Sequence, residues 1–448
     1  MDYQQSRAYI RESEKYGSVL GLANMQEMMK RLKNPQDDLQ YVHVGGTNGK
    51  GSVIAYLYTT LSRAGYRVGR YISPTIYSYR ERMETAGRPV SREKFAEYLT
   101  KVAEVIAKMT EEGLPHPTPF EIETAVAFLF FKDENCDLVL LEVGMGGSLD
   151  ATNIIRNTKL AVLVSISMDH QSFLGNTLAE IAEKKAGIVK PGCMAVTTVQ
   201  KKEAEQVIRE KCIREGAELL EAAWDTAEVL KESCQGQTFR YKGETYGAAL
   251  AGVCQTENAV LALEALEALN KCGYPTSIQI RQEGLKHALW NGRFTVICEK
   301  PLWIVDGAHN PAAADMLAAS IRHYFKNKKI YYIMGVFRDK DYRSIIEKTH
   351  SYAEKILTIQ TPGNPRALPA EELAQVIREY HRDVQAYSSV REAAKEVFCL
   401  AGEQDVVLAF GSLSFIGELT AIVRDMTEDE SLREDEEHDR LAGMQEGD

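Results

Sequence analysis

Long apolar runs are missing from this 448-residue chain, and none approaches the roughly 20 residues that cross a bilayer, so no membrane partner is expected. The first residues, Met1-Asp-Tyr-Gln-Gln, offer neither a basic n-region nor an apolar h-region, so no secretory leader is expected. Cysteine is sparse and scattered. The eight residues lie at Cys136, Cys193, Cys212, Cys234, Cys254, Cys272, Cys298 and Cys399, and no Cys-x-x-Cys pair occurs. That spacing argues against a disulfide framework and for reduced thiols in a cytoplasmic protein. A basic excess is lacking too: 53 Lys and Arg face 64 Asp and Glu, a net charge of −11. With no basic face to meet a polyanion, nucleic acid is not an expected partner. Internal repeats are absent.

The acidity is concentrated. Residues 427–448 hold ten carboxylates against Arg433 and Arg440, a net of −8, which leaves −3 for the rest of the chain. With few large apolar residues, this tail is expected to be disordered. The remaining length exceeds what one core usually organises, so two domains are expected. Apolar runs of strand length alternate with helical patterns, the signature of α/β layers with mostly parallel sheets. Strands are read at Tyr41–Val44, Arg67–Ile72, Leu138–Glu142 and Leu160–Ser165. A second series covers Leu302–Asp306, Ile330–Val336, Lys355–Ile359 and Val406–Phe410, with an irregular linker at Trp290–Pro301. Within the polar stretch Thr238–Tyr246, Lys242-Gly243 predicts a hairpin. The expected division is a domain over residues 1–295, a second over 296–426, and the tail 427–448.

The residue pattern richest in chemistry is Tyr41-Val-His-Val-Gly-Gly-Thr-Asn-Gly-Lys-Gly-Ser52, followed by a helical pattern over Val53–Ala64. Strand, glycine-rich loop and helix together cradle phosphate, because inward-turned N–H groups and the helix N-terminus face an anion. Lys50 would add a point charge and Ser52 a hydroxyl close to a magnesium ion. The loop is not a standard Walker A sequence: Val44 and Gly51 stand where that pattern wants Gly and Ser or Thr.

Other polar residues fall at strand ends, where open α/β sheets bind ligands. Glu142 closes an apolar strand, placed either to hold a metal or to cap a turn. Gly144-Met-Gly-Gly147 lacks the G-x-G-x-x-G spacing, so a nicotinamide cofactor is not expected. Asp169-His170 follows the strand ending near Ser165. In the next helix Thr177 and Glu180 form a T-x-x-E capping box. Leu178, Ile181, Lys185 and Ile188 follow one stripe, so Lys185 points toward the core while Lys184 pairs with Glu180 at the surface. A buried lysine needs a partner or a modification, unless its stem carries the ammonium out to solvent. Thr118-Pro-Phe-Glu121 opens a further helix, its Glu complementing the dipole. Ser73-Pro74 leads into a long polar loop, Thr75–Arg92, of the kind that forms lids or binding loops. In the second series, Asp306, His309 and Pro311 mark a strand, turn and helix, and Arg293 lies in the linker, suited to reach a phosphate.

Taken in order, Gly46-Thr-Asn-Gly-Lys-Gly-Ser52, Leu141-Glu-Val-Gly-Met-Gly-Gly147, Leu149-Asp-Ala-Thr-Asn153, Asp169-His170, Lys185-Ala-Gly-Ile188, Asp306-Gly-Ala-His-Asn-Pro311 and Asn364-Pro-Arg-Ala-Leu-Pro369 resemble the folylpolyglutamate synthase/dihydrofolate synthase family of the Mur ligase superfamily. The resemblance implies a P-loop ATPase-type domain with a mostly parallel sheet and a second, Rossmann-like α/β domain that serves glutamate ligation. It implies an ATP-dependent ligase that phosphorylates a folate or pteroate carboxylate and joins L-glutamate to the acyl phosphate. The expected cofactors are ATP, as co-substrate, and Mg2+; the expected state is a monomer.

Carried over by position, Asn48, Gly49, Lys50, Gly51 and Ser52 would wrap the ATP phosphates, and Asn258, Arg293 and Asp306 would also contact ATP. Ser73, Glu142 and His170 resemble magnesium ligands. Lys185 resembles a lysine carried as a carbamate, which also makes it a metal-site residue. Lys50, Lys185 and His309 are the expected catalytic residues, with His309 and Ser412 near the incoming glutamate. Thr118, Phe120 and Glu121, with Leu149, Asp150 and Ala151, resemble stretches that meet the pterin. The chain departs from the family pattern at Ala23-Asn24, Thr75, Ser148 and Lys184, largely on the folate side, which leaves the acceptor open. The alternatives are a Mur-type ligase acting on another carboxylate, or a nucleotide-binding protein without ligase activity.

Overall fold

Strand β1, Tyr41–Gly45, is buried at every position, as is β5, Leu138–Glu142. Runs such as Leu-Val-Leu-Leu, with no polar alternation, fit only a sheet covered on both faces. The computed structural model describes residues 1–17 and 19–427. Apart from Thr427, the expected disordered tail lies outside the described residues. The described residues divide into two compact units, one comprising residues 1–17, 19–232, 236–249 and 254–290, the other 233–235, 250–253 and 291–427.

The first unit is built on eight strands. The others are β2 (Val68–Tyr71), β3 (Met83–Thr85), β4 (Arg88–Pro89), β6 (Thr158–Leu163), β7 (Met194–Thr198) and β8 (Glu218–Ala222). Their order is β4-β3-β2-β5-β1-β6-β7-β8. From β2 to β8 all neighbours run parallel, while β3 and β4 add an antiparallel edge. The chain leaves β1 toward one side of the sheet and later fills the other side from β6, so the loop after β1 opens at a switch point. On one face Tyr41, Tyr71, Val139 and Leu141 pack with Phe95, Phe128, Phe131 and Met25. A second core joins Val143, Ala161, Leu163 and Ala195 to Ile181, Ala186 and Ile208.

A small antiparallel sheet, β11-β10-β9, is formed by β9 (Glu228–Ser233), β10 (Gly236–Tyr241) and β11 (Glu244–Ala248). Lys242 and Gly243, both at positive φ (48° and 84°), make the turn expected between β10 and β11.

The second unit carries β12 (Thr295–Glu299), β13 (Leu302–Val305), β14 (Ile330–Met334), β15 (Lys355–Thr358), β16 (Val384–Ala386) and β17 (Val406–Phe410), in the order β12-β13-β17-β14-β15-β16. All pairs are parallel except β12 with β13. Ile304, Tyr332, Leu408 and Phe410 pack with Leu317, Ile321, Ile345 and Leu373 in its core.

Three expectations change. Trp290–Pro301 is not wholly a linker, because Thr295–Glu299 forms the edge strand β12. Thr75–Arg92 is not one open loop. It holds a helical turn at Tyr79–Arg82 and the β3–β4 hairpin, with Ala86 and Gly87 at positive φ in the turn. The strand read at Leu160–Ser165 runs over Thr158–Leu163 instead, and Ser165 makes an isolated bridge to Asn48.

Candidate active site

Parallel pairing of β1 with β5 and β6 brings three strand ends to one edge, and the glycine-rich loop sits there. The loop is held from outside. Thr47 N–H donates to Ser165 O (2.8 Å), and Ser167 N–H donates to Thr47 Oγ1 (3.0 Å). Ser165 Oγ donates to Asn48 O at 3.1 Å. Gly49 adopts φ +103°, and a side chain there would strike the Asn258 amide. Gln255, one turn before Asn258, donates to Ser52 Oγ (3.3 Å) and accepts from Asn258 Nδ2 (3.2 Å). Helix Gln255–Lys271 thus presses two amides onto helix Lys50–Arg63 where that helix begins.

Lys50 curls over its own loop. Its Nζ donates to Thr47 O (3.2 Å) and Gly46 O (3.4 Å) and stands 3.9 Å from Glu142 Oε1. Glu142 is buried at the end of β5, and its Oε2 accepts from Ser73 N–H at 3.1 Å. Lys185 reaches the same carbonyl: the residue is 4% exposed and its Nζ donates to Gly46 O at 2.9 Å. Burial, reinforced by the Lys50 charge, lowers the Lys185 ammonium to a pKa of about 7, against the pull of Asp169 and Asp150. The helical stripe therefore placed Lys185 correctly. Lys184 is exposed as expected, but among the described residues it makes no ion pair. The Glu180 carboxylate instead accepts from Asn176 N–H (2.7 Å) and Thr177 N–H (3.1 Å), completing the capping box.

His170 takes a left-handed conformation (φ 50°) and is exposed, its Nε2 3.9 Å from Asp169 Oδ2. Among the described residues no group of three or more His, Cys, Asp or Glu could hold a metal by itself.

The residues read as pterin contacts have internal duties. Thr118 caps helix Pro119–Asp133, and Glu121 Oε2 accepts from Thr118 N–H (2.8 Å) and Oγ1 (2.9 Å). Phe120 lies against Gly144, whose missing side chain leaves room for the ring. Asp150 is buried with its carboxylate turned inward, accepting from Met145 N–H (2.7 Å), Thr152 N–H (3.0 Å) and Thr152 Oγ1 (2.5 Å). Leu149 is exposed and Ala151 buried. This loop can therefore offer Leu149 and backbone to a ligand, while the Asp150 carboxylate is committed to the fold.

In the second unit, β13 and β17 are neighbours, so Asp306 and Ser412 come to one edge. Asp306 accepts from Phe294 N–H and Ala308 N–H, both at 2.8 Å. Burial raises its pKa, opposed by the nearby Arg293 and these N–H groups. A side chain added at Gly307 would run into Arg293 and Leu413, so Arg293 lies across this turn. His309 Nδ1 is 2.7 Å from Gly307 O. Ser412 is buried and caps the turn Leu413–Phe415 through Ser414 N–H (3.3 Å). Arg293, Asp306, His309 and Ser412 thus gather at one edge of this unit.

Two contacts escaped the sequence reading. Trp290 covers the first turn of helix Lys50–Arg63, and any side chain at Gly51 would enter its indole. Thr47, Ser165 and Ser167 clamp the loop. Neither leaves a periodic signal, since both join segments far apart in sequence.

A glycine-rich loop between a buried strand and a helix in one α/β unit, joined to a second unit with a mostly parallel sheet, is the layout of a Mur-type ATP-dependent ligase. Residues 44–266 match the Mur ligase middle domain, and residues 292–413 match the Mur ligase glutamate ligase domain. The chain is 34% identical over 426 residues to the dihydrofolate synthase/folylpolyglutamate synthase of Bacillus subtilis, spanning 93% of this chain and 98% of that protein. It is 31% identical over 388 residues to the enzyme of the same name from Escherichia coli, spanning 85% and 86% of the two chains. Among solved structures, Mycobacterium tuberculosis folylpolyglutamate synthase complexed with ADP and AMPPCP matches with a TM-score of 0.85 at 28% identity, over 95% of this chain and 99% of that one. Escherichia coli FolC in complex with DHPP and ADP matches with a TM-score of 0.82 at 28% identity, over 94% and 98%. This chain belongs to the folylpolyglutamate synthase/dihydrofolate synthase family.

Proposed function

We propose that this ligase adds L-glutamate both to dihydropteroate and to tetrahydrofolate or its polyglutamates, as a cytoplasmic monomer. The observation that carries the reading is the convergence of Lys50, Glu142 and buried Lys185 on the phosphate loop. ATP phosphorylates the acceptor carboxylate, because a carboxylate alone is a poor electrophile. The glutamate amine attacks the acyl phosphate, and phosphate leaves from the tetrahedral intermediate.

In this reading Asn48, Gly49, Lys50, Gly51 and Ser52 hold the phosphates, and Lys50 swings from Gly46 O and Thr47 O onto their oxygens. Asn258, pressed against Gly49, fixes the loop and contacts ATP. Residues 1–295 carry this ATP-binding function and residues 296–426 the glutamate-ligating one. Arg293 and Asp306 serve the nucleotide, while His309 and Ser412 receive the incoming glutamate. Thr118, Phe120, Glu121, Leu149, Asp150 and Ala151 shape the acceptor side, Asp150 and Glu121 by holding backbone rather than by direct contact.

The donor set fits magnesium. That ion takes one or two carboxylates and leaves its other positions to phosphates and water, and Glu142, buried at the end of β5, supplies one such carboxylate. Glu142, Ser73 and His170 would hold it, together with Lys185 as a carbamate. When bound, the ion offsets the charge of the phosphate oxygens. A pKa of about 7 supports the carbamate: a neutral Nζ can attack CO2, forming the C–N bond as the π electrons move to oxygen and a proton leaves for solvent.

The test is Lys50→Ala. Turnover should fall by about 10^2-fold or more, the scale of losing one charge-stabilising group, while thermal unfolding stays cooperative at an unchanged temperature. Activity within a factor of about two of wild type would overturn the role of the loop.

A further inference from the structure

Strand β1 is buried throughout, yet Tyr41-Val-His-Val-Gly45 carries a histidine at its centre. Alternation along a strand puts His43 on the same face as Tyr41, where Tyr41, Val139 and Leu141 pack with Phe128. His43 has no exposed surface, and no step of ATP-driven ligation uses it. Burial, with the Lys190 charge in support, lowers the imidazole pKa to about 3. The ring is therefore neutral, and one of its nitrogens is bare.

Which nitrogen carries the proton follows from its neighbours. His43 Nε2 lies 2.9 Å from Thr152 Oγ1. Thr152 has one hydroxyl proton, and it donates that proton to Asp150 Oδ1 at 2.5 Å. The hydroxyl oxygen is left to accept, so His43 Nε2–H donates. Nδ1 is then the bare nitrogen, and it has no hydrogen-bond partner among the described residues. A buried acceptor without a partner costs stability, a cost that leucine at this position would avoid. Packing alone therefore does not call for a histidine here.

The chain of bonds ends on the turn that leads to Leu149. Asp150 is buried, and its carboxylate also accepts from Met145 N–H (2.7 Å) and Thr152 N–H (3.0 Å). It thereby ties the segment after β5 to the helical turn Ala151–Ile154. Gly144 in that segment lies against the Phe120 ring. Ser148 N–H donates to Lys184 O (2.8 Å), and exposed Leu149 accepts at its carbonyl from Gly21 N–H (3.2 Å). A displaced Asp150 carboxylate would thus disturb Leu149 and the backing of Phe120 together. The phosphate loop is held separately, by Thr47, Ser165 and Ser167.

We propose that His43 is a positioning residue for the acceptor: its Nε2–H orients the Thr152 hydroxyl, Thr152 orients the Asp150 carboxylate, and Asp150 sets the turn that carries Leu149. The inference rests on the ligase reading, in which this turn shapes the acceptor side.

Steady-state kinetics of the full chain with dihydropteroate and with tetrahydrofolate tests it, beside calorimetric titration with ADP. In His43→Leu, acceptor KM should rise about tenfold or more, the scale of one lost hydrogen bond. Turnover number and ADP affinity should stay within about a factor of two of wild type, the split that marks lost ground-state binding. His43→Gln, which keeps an N–H donor near the Nε2 position, should recover most of the loss. Thr152→Val should reproduce the His43→Leu effect and Thr152→Ser should not, so the inference is tested even if the strand variants fail to fold. Equal KM increases in His43→Leu and His43→Gln, wild-type acceptor KM in Thr152→Val, or ADP affinity falling along with acceptor affinity would each overturn the proposal. Failure of the ligase reading would show differently, as no glutamylated product from the wild-type chain with either acceptor.

Discussion

At Lys185 a helical stripe and a buried ammonium meet, and the conflict has a measurable sign. In the folded chain its pKa is lowered from 10.5 to about 7, chiefly by burial and then by Lys50. Between those values the unfolded chain binds more protons than the folded one, so stability rises with pH across that window. In CO2-free buffer, Lys185→Met should therefore be stabilising relative to wild type below pH 7, with the advantage shrinking as pH approaches 10.5. Urea unfolding at a series of pH values checks this; an advantage that grew with pH would contradict it. For activity, Lys185→Ala should lose most turnover and regain part of it with acetate, which supplies the carboxylate a carbamate would provide. A free, reagent-accessible amine at 185 in fully active enzyme would contradict that role. The sequence made the burial of Lys185 legible through its spacing from Leu178, Ile181 and Ile188. It could not reveal that Gly46 O is the acceptor, because that contact joins residues 139 positions apart.

Among elements, the central strands were legible because fully buried β1, β5 and β17 are nearly unbroken apolar runs. The edges were harder. β12 is only partly buried and its Thr-Val-Ile-Cys-Glu run is short, so it reads as linker until it pairs with β13. The β3–β4 hairpin is shorter still, and its polar residues match a loop as well as an edge. The start of helix Lys50–Arg63 shows a further limit. Gly→Ala inside a helix normally stabilises by about 1 kcal/mol, yet at Gly51 the new methyl would enter the Trp290 indole. Gly51→Ala should instead destabilise by about 1–3 kcal/mol, the cost of overpacking, and weaken ATP binding. Adding Trp290→Leu should recover much of the loss. A double-mutant cycle by thermal unfolding measures this coupling, and strictly additive effects would show that Trp290 is not the obstacle.

For the whole molecule, two α/β units each bring polar strand ends to one edge: Gly46–Ser52 follows β1 and Leu141–Gly147 closes β5 in the first, and Asp306–Pro311 follows β13 in the second. Fold class and family were legible because strand ends carry both the apolar pattern and the chemistry. Acceptor preference was not, because Asp150 and Glu121 turn inward and act on backbone rather than presenting their carboxylates. The central claim is ATP-driven glutamate transfer to a pterin-bearing carboxylate. The most direct measurement is ADP release by the purified chain with L-glutamate and either dihydropteroate or tetrahydrofolate, with mass spectrometry of the products. The account predicts that ADP forms only when acceptor and glutamate are both present, and that each acceptor gains a glutamyl residue. ADP release without either acceptor, or acceptors that stay unchanged in mass, would contradict it.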